Sequence, residues 1–256
     1  MTHPAPTIGV VGVGAMGGAF AAGLAPHASV TVEDSLAGRA DEVARAIGVT
    51  SGDAASCDVV VLAVKPQDLG RTCEGLLPRM RPDAVVVSVA AGWTLDRLAA
   101  VAPGHGIVRL MPNLAVAHGN GVVAMATTGL DEAAVTRMRS LLTPLGAVVV
   151  IDEGLFSIAT AIAGSGPGFV AHSAKAFEDA GAANGLPRDD ARAMVQAVLA
   201  GTASLLADGS DPAALQARVT SPGGTTAAGI AVLEAAGTAA ALGEAVGAAT
   251  HRAAEL

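Results

Sequence analysis

The first part of the chain alternates short β-branched runs with helical stretches. The run Val59–Val64 is continuously apolar, which is typical of a strand buried on both faces of a parallel sheet. Similar runs predict further strands at Ile8–Val11, Val30–Val32, Ala84–Val89, Ile107–Leu110 and Val148–Ile151. Because helical stretches such as the one over Asp41–Ile47 lie between strands, the pattern predicts an α/β fold with a doubly wound sheet.

After Asp152 the strand pattern stops, and the rest of the chain is Ala-rich and helix-like. Helices are predicted at Pro167–Asn184, Pro187–Ala207, Pro212–Val219, Thr225–Ala235 and Thr238–Ala254. We therefore expect two domains, 1–152 with the sheet and 153–256 with helices alone. The helical part has few large side chains and would bury a thin core alone, so we expect it to pack against a second copy of itself.

The composition is that of a folded chain. Of 256 residues, 52% are hydrophobic and 15% are charged, which excludes intrinsic disorder. The mean hydropathy of +0.53 raises the question of a membrane. The longest uncharged runs, Leu110–Leu130 and Gly154–Ala174, are interrupted by polar residues, Gly or Pro. Neither run supplies the ~18 apolar residues of a spanning helix, so no membrane contact is expected.

Charge and cysteine content narrow the class further. The net charge of −8 argues against a nucleic-acid partner. The chain has 2 cysteines, Cys57 and Cys73, with no spacing typical of a metal site, and no hydrolytic or metal-binding motif occurs. Residues 1–6 contain no basic region of the kind that starts a secretory signal. These features favour a cytoplasmic protein without a structural metal or disulfide.

A glycine motif follows the first predicted strand directly and opens a helix. In Gly12–Gly17 the first glycine permits a tight turn, Gly14 lets the backbone approach a pyrophosphate, and Gly17 lets helix and strand pack closely. The helix N-terminus then faces the phosphates. The motif predicts dinucleotide contacts at Gly12, Gly14, Ala15, Met16 and Gly17.

Two acidic residues end the second predicted strand. Asp34 lies 22 residues after Gly12, where an acid commonly binds the adenosine ribose 2′-OH. A carboxylate there would repel the 2′-phosphate of NADP, so we expect NADH to be preferred over NADPH. The alternative is that Glu33 and Asp34 are a solvated strand end.

Polar residues also follow later strands, at the sheet edge where ligands bind in this architecture. Lys65 could hold the cofactor ribose or a substrate carboxylate, or it could be an exposed charge. Asn113 could bond to a nicotinamide or to its own loop. In the second half, Gly164–Pro167 and Ser221–Thr226 precede helices and offer free backbone N–H groups that suit a carboxylate, although both could be ordinary helix caps.

Taken in order, these motifs resemble the pyrroline-5-carboxylate reductase family over essentially the whole chain. The residues that carry the resemblance are Gly12–Gly17, Ala63–Pro66, Ser88–Gly92, Met111–Asn113, Gly164–Pro167, Gly185–Arg188 and Ser221–Thr226. The resemblance implies an N-terminal Rossmann domain and a C-terminal helical dimerisation domain, with the active site between one subunit and its partner. It also implies reduction of 1-pyrroline-5-carboxylate to L-proline by NADPH or NADH.

For such a reaction we assign the substrate carboxylate to the N–H groups of the last motif. The substrate-binding candidates are Ser221, Gly223, Gly224, Thr225 and Thr226. Thr226, near the imine nitrogen, and Lys65 are the catalytic candidates, and Thr226 would orient a proton source because its hydroxyl is a poor acid. Further cofactor contacts are expected at Val64, Lys65, Pro66, Ala90, Asn113 and Ser165.

Three positions depart from the family pattern and leave alternatives open. Leu114 and Phe169 stand where the family usually has Thr and Tyr, and Lys175 replaces a helix Glu. A relative that reduces another cyclic imine, such as a substituted pyrroline or a piperideine carboxylate, is one alternative. A 3-hydroxyacid-type dehydrogenase with Lys175 as its helix lysine is another, and a non-catalytic nucleotide-binding protein is the third.

Overall fold

The computed structural model describes residues 6–255 and divides the chain into two compact units. The first unit runs up to Gly164 and includes the residues from Ala249 onward, and the second is Ser165–Ala248. The first five residues, on which part of the expectation about a secretory signal rests, lie outside the described range. The first unit therefore ends 12 residues after Asp152, the predicted domain boundary. The segment between them packs on the sheet through Phe156, which is 3% exposed.

An eight-stranded sheet forms the centre of the first unit, in the order β3-β2-β1-β4-β5-β6-β7-β8. The strands are β1 (Ile8–Val11), β2 (Val30–Glu33), β3 (Thr50–Ser51), β4 (Val59–Leu62), β5 (Val85–Ser88), β6 (Gly106–Pro112), β7 (Gly121–Thr128) and β8 (Gly146–Val150). The first six are parallel, β7 is antiparallel to β6, and β8 is parallel to β7. The strand order reverses at β1 and β4, so the predicted doubly wound sheet is confirmed.

Helices cover both faces of this sheet. They are α1 (Ala15–Leu24), α2 (Arg39–Ile47), α3 (Leu69–Leu76), α4 (Leu95–Val101), α5 (Glu132–Leu142) and α6 (Phe156–Ala159). Along β4, Val59 and Val61 belong to one buried cluster, whereas Val60 and Leu62 belong to the cluster on the other face. The continuous apolar run of β4 therefore reflects burial on both faces.

Sequence analysis did not predict β3 or β7. In β7 the eight residues include Gly121, Ala124 and Ala126, which have weak strand propensity. The strand forms because it pairs with β6 from Ile107↔Thr128 to Pro112↔Val123 and because Met125 is fully buried. Pairing with β6 therefore makes this segment a strand, which its local sequence alone does not favour.

The second unit is helical, as predicted. Its helices are α7 (Gly166–Ala183), α8 (Arg188–Ala207), α9 (Pro212–Val219), α10 (Thr225–Ala235) and α11 (Thr238–Ala254), the last of which continues into the residues grouped with the first unit. Large apolar side chains on these helices are uncovered: Phe177 is 63% exposed, Val198 64% and Val232 67%. Such exposure is typical of a surface that another chain covers.

One continuous helical stretch is long and apolar enough to cross a membrane by length and composition alone. It runs over Glu153–Ala183, has a mean hydropathy of 1.4 over 18 residues, and is 17% buried in that window. Sequence analysis excluded a span because polar residues, Gly and Pro interrupt the stretch, but on average Ala, Ile and Val outweigh them. Helices of soluble proteins meet the same criterion, and this stretch is divided by a π-helical turn at Thr160–Gly164.

Candidate cofactor and substrate sites

The turn after β1 has a geometry that only glycines permit at two positions. Gly12 has a φ of 88° and donates its N–H to the carbonyl oxygen of Glu33 at 2.8 Å. A Cβ on Gly17 would lie 1.9 Å from the carbonyl oxygen of Gly12, so α1 packs directly on the turn. A Cβ on Gly14 would meet no atom within 4 Å. The N-terminus of α1, with Gly14 as a cap residue that lacks a side chain, is therefore open to an anion.

Asp34 is bonded to this turn, so it is not a freely solvated strand end. Its Oδ2 accepts the N–H of Val13 at 2.8 Å, and its Oδ1 accepts the N–H of Leu36 at 2.9 Å. Arg39 donates its Nε–H to the carbonyl oxygen of the same residue, Val13, at 3.3 Å, so the next peptide group is bonded as well. One carboxylate and one guanidinium thus fix the backbone in the middle of the glycine turn.

A pocket of about 670 Å³ lies at the carboxyl ends of β1, β2 and β4. It is lined by five of the predicted cofactor residues, Gly12, Gly14, Asp34, Val64 and Lys65. Ala15, Met16 and Gly17 follow in the first turn of α1, and Pro66 opens the 3-10 turn after Lys65. The exposed Lys65 ammonium has no hydrogen bond or ion pair with other residues in the range 6–255, so it can serve an anionic ligand.

The same pocket contains an ionic cluster that sequence analysis missed. Arg79 binds Glu33 Oε1 through Nη2 at 2.7 Å and Asp53 Oδ1 through Nη1 at 2.8 Å. The hydrogen bond to Glu33 is the main reason why the pKa of Arg79 lies above its usual value. Glu33 also accepts the N–H of Ala54 at 3.0 Å. Because Arg79 and Glu33 are 46 positions apart, no local pattern could reveal their contact.

At the ends of β5 and β6 the predicted residues are bonded to protein groups. Ala90 is buried and donates its N–H to Ser88 Oγ at 3.2 Å. Asn113, which is 8% exposed, accepts the N–H of Ala115 at 3.2 Å and donates from Nδ2 to the carbonyl oxygen of Ala163 at 3.0 Å. The loop contact that the sequence left open is therefore present, and a contact of Asn113 with nicotinamide stays a prediction.

In the second unit, Ser221–Gly224 forms a tight turn at the start of α10. Gly224 donates its N–H to the carbonyl oxygen of Ser221 at 2.9 Å, and Gly223 has a φ of 70°. The positive φ of Gly223 favours glycine, whereas a Cβ on Gly224 would lie 2.4 Å from Ser221 Oγ and would require that side chain to turn away. No side chain caps the helix, and the first N–H groups, at Thr225 and Thr226, can bind an anion.

Two further candidates lie on α7. Ser165 is the cap residue of the helix and makes no side-chain cap hydrogen bond. Lys175 is 75% exposed and forms an ion pair with Asp179 Oδ2 at 2.5 Å, and Arg188 binds the other carboxylate oxygen at 3.0 Å. The hydrogen bonds from Lys175 and Arg188 lower the pKa of Asp179. Lys175 is therefore part of an exposed ion-pair cluster on α7.

Comparison with known proteins identifies the family. Residues 153–256 match the model for pyrroline-5-carboxylate reductase dimerisation, and residues 7–92 match the model for NADP oxidoreductase, coenzyme F420-dependent. A pyrroline-5-carboxylate reductase of Synechocystis is 36% identical over 262 residues, which cover 97% of each chain. The chain belongs to the pyrroline-5-carboxylate reductase family. The resemblance of its motifs is thereby confirmed.

Solved structures of this family have the same fold. The pyrroline-5-carboxylate reductase of Coxiella burnetii has a TM-score of 0.87 at 27% identity and covers 98% of each chain. The pyrroline carboxylate reductase of Plasmodium falciparum, solved with NADP bound, has a TM-score of 0.82 at 26% identity over 97% of each chain. Members of this family are NAD(P)H-dependent oxidoreductases that act on an imine, and the dimerisation region indicates a homo-oligomer.

The glycine turn predicts different outcomes for two alanine substitutions. Gly14→Ala adds a Cβ in open space, so the free energy of unfolding should change by less than about 1 kcal/mol. The NADH Kd should rise at least about tenfold, because the added Cβ keeps the pyrophosphate away from the backbone. Gly17→Ala forces α1 away from Gly12 and should cost ~1–3 kcal/mol as well as cofactor affinity.

Urea unfolding without cofactor and NADH fluorescence titration measure the two effects separately. Wild-type NADH affinity in Gly14→Ala would show that the turn does not hold the pyrophosphate. Wild-type stability in Gly17→Ala would contradict the close packing of α1 on the turn.

Proposed function

We propose that this protein reduces 1-pyrroline-5-carboxylate to L-proline with NADH or NADPH, as a cytoplasmic homodimer or higher homo-oligomer. The observation that carries the proposal is the near-full-length relation to a pyrroline-5-carboxylate reductase at 36% identity. Two buried free thiols, Cys57 and Cys73, support the cytoplasmic location. We assign cofactor binding to a domain of residues 1–152 and dimerisation and substrate binding to a domain of residues 153–256.

The residues around the glycine turn fit a dinucleotide. The open N-terminus of α1 suits a pyrophosphate, and Lys65 lines the same pocket without a partner among residues 6–255. Asp34 follows β2 at the position where this fold commonly binds a ribose hydroxyl. We propose that the cofactor is held by Gly12, Gly14, Ala15, Met16, Gly17, Asp34, Val64, Lys65, Pro66, Ala90 and Ser165. When bound, the nicotinamide supplies the hydride that the imine carbon receives.

The turn at the start of α10 fits the substrate carboxylate. The N–H groups of Ser221, Gly223, Thr225 and Thr226 form the proposed carboxylate site, and Gly224, whose own N–H is bonded to Ser221, shapes the turn. The half-buried Thr226 side chain is our candidate for orienting a proton source at the imine nitrogen, and Lys65 is the second proposed catalytic residue. A protonated imine is already electrophilic, so these residues act chiefly by orientation and electrostatics.

A second candidate substrate is a larger or substituted cyclic imine carboxylate. Leu114 directly follows Asn113 at the sheet edge and is 60% exposed. It presents an apolar side chain at a position where a polar side chain would favour a small polar ring. Phe169 on α7 likewise lacks a hydroxyl. Apolar side chains at these two positions suit contact with extra ring carbons better than hydroxyl groups do.

Steady-state reduction of a panel of cyclic imine carboxylates, with NADH and with NADPH, tests the proposal. We expect the highest kcat/KM for 1-pyrroline-5-carboxylate. A clear preference for a piperideine carboxylate or a substituted pyrroline would support the second candidate. Cofactor binding without turnover of any imine would replace both with a nucleotide-binding role.

Asp34 should set the choice between the two cofactors. We expect wild type to have the higher kcat/KM with NADH, because a 2′-phosphate beside Asp34 places like charges together. Asp34→Asn removes the charge but keeps one oxygen for the turn, and should raise the NADPH/NADH ratio of kcat/KM about tenfold. Asp34→Ala also removes both hydrogen bonds and should weaken both cofactors. A wild-type preference for NADPH contradicts this assignment.

Thr226 should contribute to imine reduction and not to cofactor binding. Thr226→Val removes one hydroxyl, and losing a charge-assisted hydrogen bond should lower kcat/KM about 10- to 150-fold. The NADH Kd should hardly change. Thr238→Val, the same change at the first position of α11, is the matched control. If Thr226→Val reduces the imine normally, or cofactor affinity falls in parallel, Thr226 is only part of a helix start.

A further inference from the structure

One face of β6 contacts the segment that follows β8 at several points. Arg109 and Met111 alternate along the strand and Asn113 continues the same face, because side chains two positions apart point to the same side of a sheet. The segment Glu153–Gly164, here called the connector, consists of a 3-10 turn, α6 and the π-helical turn. The contacts lie within the first unit.

The first contact is ionic and lies at the start of the connector. Arg109 binds Glu153 Oε1 through Nη1 at 2.7 Å, and its guanidinium carbon lies 4.3 Å from the ring centre of Phe156. The same Glu153 oxygen accepts the N–H of Leu95 at 2.7 Å, which ties α4 to the connector as well. With the Arg109 side chain 14% exposed, this pair is shielded from much of the screening that weakens surface ion pairs.

The other contacts lie at the end of the connector. Asn113 donates from Nδ2 to the carbonyl oxygen of Ala163 inside the π-helical turn, at 3.0 Å. A Cβ on Gly164 would lie 2.8 Å from Met111 Cε, so the backbone of Gly164 approaches that side chain closely. Ala161 and Ala163 are buried, whereas Ile162 is 58% exposed. π-Helical turns are rare and occur frequently at functional sites.

The chain continues directly from this contact into Ser165, which we propose to touch the cofactor. We propose that Arg109, Met111 and Asn113 form a positioning platform on β6, which fixes the connector and through it the Ser165 turn for imine reduction. The inference rests on the proposed function. In this inference, Asn113 acts by holding the backbone of Ala163. It is therefore a positioning residue and not a nicotinamide ligand.

Asn113→Asp tests the platform with little change of shape. The variant keeps an oxygen for the Ala115 N–H but has no donor for Ala163, so the end of the connector loses its bond to β6. We expect kcat/KM for the imine to fall about tenfold, mainly through kcat, while the NADH Kd stays within about twofold. Amide hydrogen exchange over residues 160–165 should become about tenfold faster.

Two further variants accompany it. Arg109→Met removes the ion pair and the contact with Phe156 at the other end of the platform and should lower kcat/KM in the same way, which keeps the test available if Asn113→Asp does not fold. Arg81→Met is the control, because Arg81 pairs with Asp58 and Asp83 away from β6 and should leave kcat/KM and exchange over residues 160–165 unchanged.

Three results would overturn the inference. If the NADH Kd of Asn113→Asp rises in step with the loss of kcat/KM, Asn113 is a cofactor ligand. If exchange over residues 160–165 accelerates but kcat/KM stays within twofold of wild type, the contacts serve stability alone. If neither changes, β6 does not hold the connector. Should wild type reduce no imine, the proposed function fails, whereas hydrogen exchange still decides whether β6 fixes the connector.

Discussion

The close packing of α1 on the turn after β1 is the constraint on which the cofactor site depends. A Cβ on Gly17 would lie 1.9 Å from the carbonyl oxygen of Gly12, so any other residue there would displace the helix. With α1 held in this position, its N-terminal N–H groups face the carboxyl edge of the sheet, where the strand order reverses between β1 and β4. Asp34 and Arg39 then fix the two peptide groups on either side of Val13, so the anion-binding backbone is formed before a ligand arrives.

The elements most accurately predicted from the sequence are those whose burial is visible locally. The Val59–Leu62 strand contacts two cores, so every residue is apolar. The helices after residue 164 begin within one residue of a Pro or Thr and are rich in Ala. β7 is different, because its Gly and Ala residues adopt a strand only through pairing with β6. The glycine turn could be predicted since its geometry demands particular residues at fixed spacing. Arg79 could not, because Glu33 and Asp53 come from distant parts of the chain.

The helical unit leaves large apolar side chains exposed in the single chain. Phe177, Val198 and Val232 are each more than half exposed. Burying such apolar surface stabilises a protein by roughly 25 cal/mol per Å². Small Ala and Gly residues between them let helices of two chains approach closely. The family's dimerisation region spans these helices, which indicates that another subunit covers their exposed apolar side chains.

Asp34 shows how one side chain can link turn stability to cofactor choice. Both of its oxygens are occupied by the N–H groups of Val13 and Leu36, yet each oxygen has a further lone pair that a ribose hydroxyl can use. A fully ionised 2′-phosphate has no hydrogen-bond donor, so it cannot bind the Asp34 carboxylate as a ribose hydroxyl can. Its negative charge also repels that carboxylate. Arg39, bonded to the carbonyl oxygen of Val13, supplies a compensating charge, and Arg71 and Arg79 line the same pocket. Cofactor preference in this protein therefore depends on whether these guanidinium groups outweigh a carboxylate that the turn itself requires.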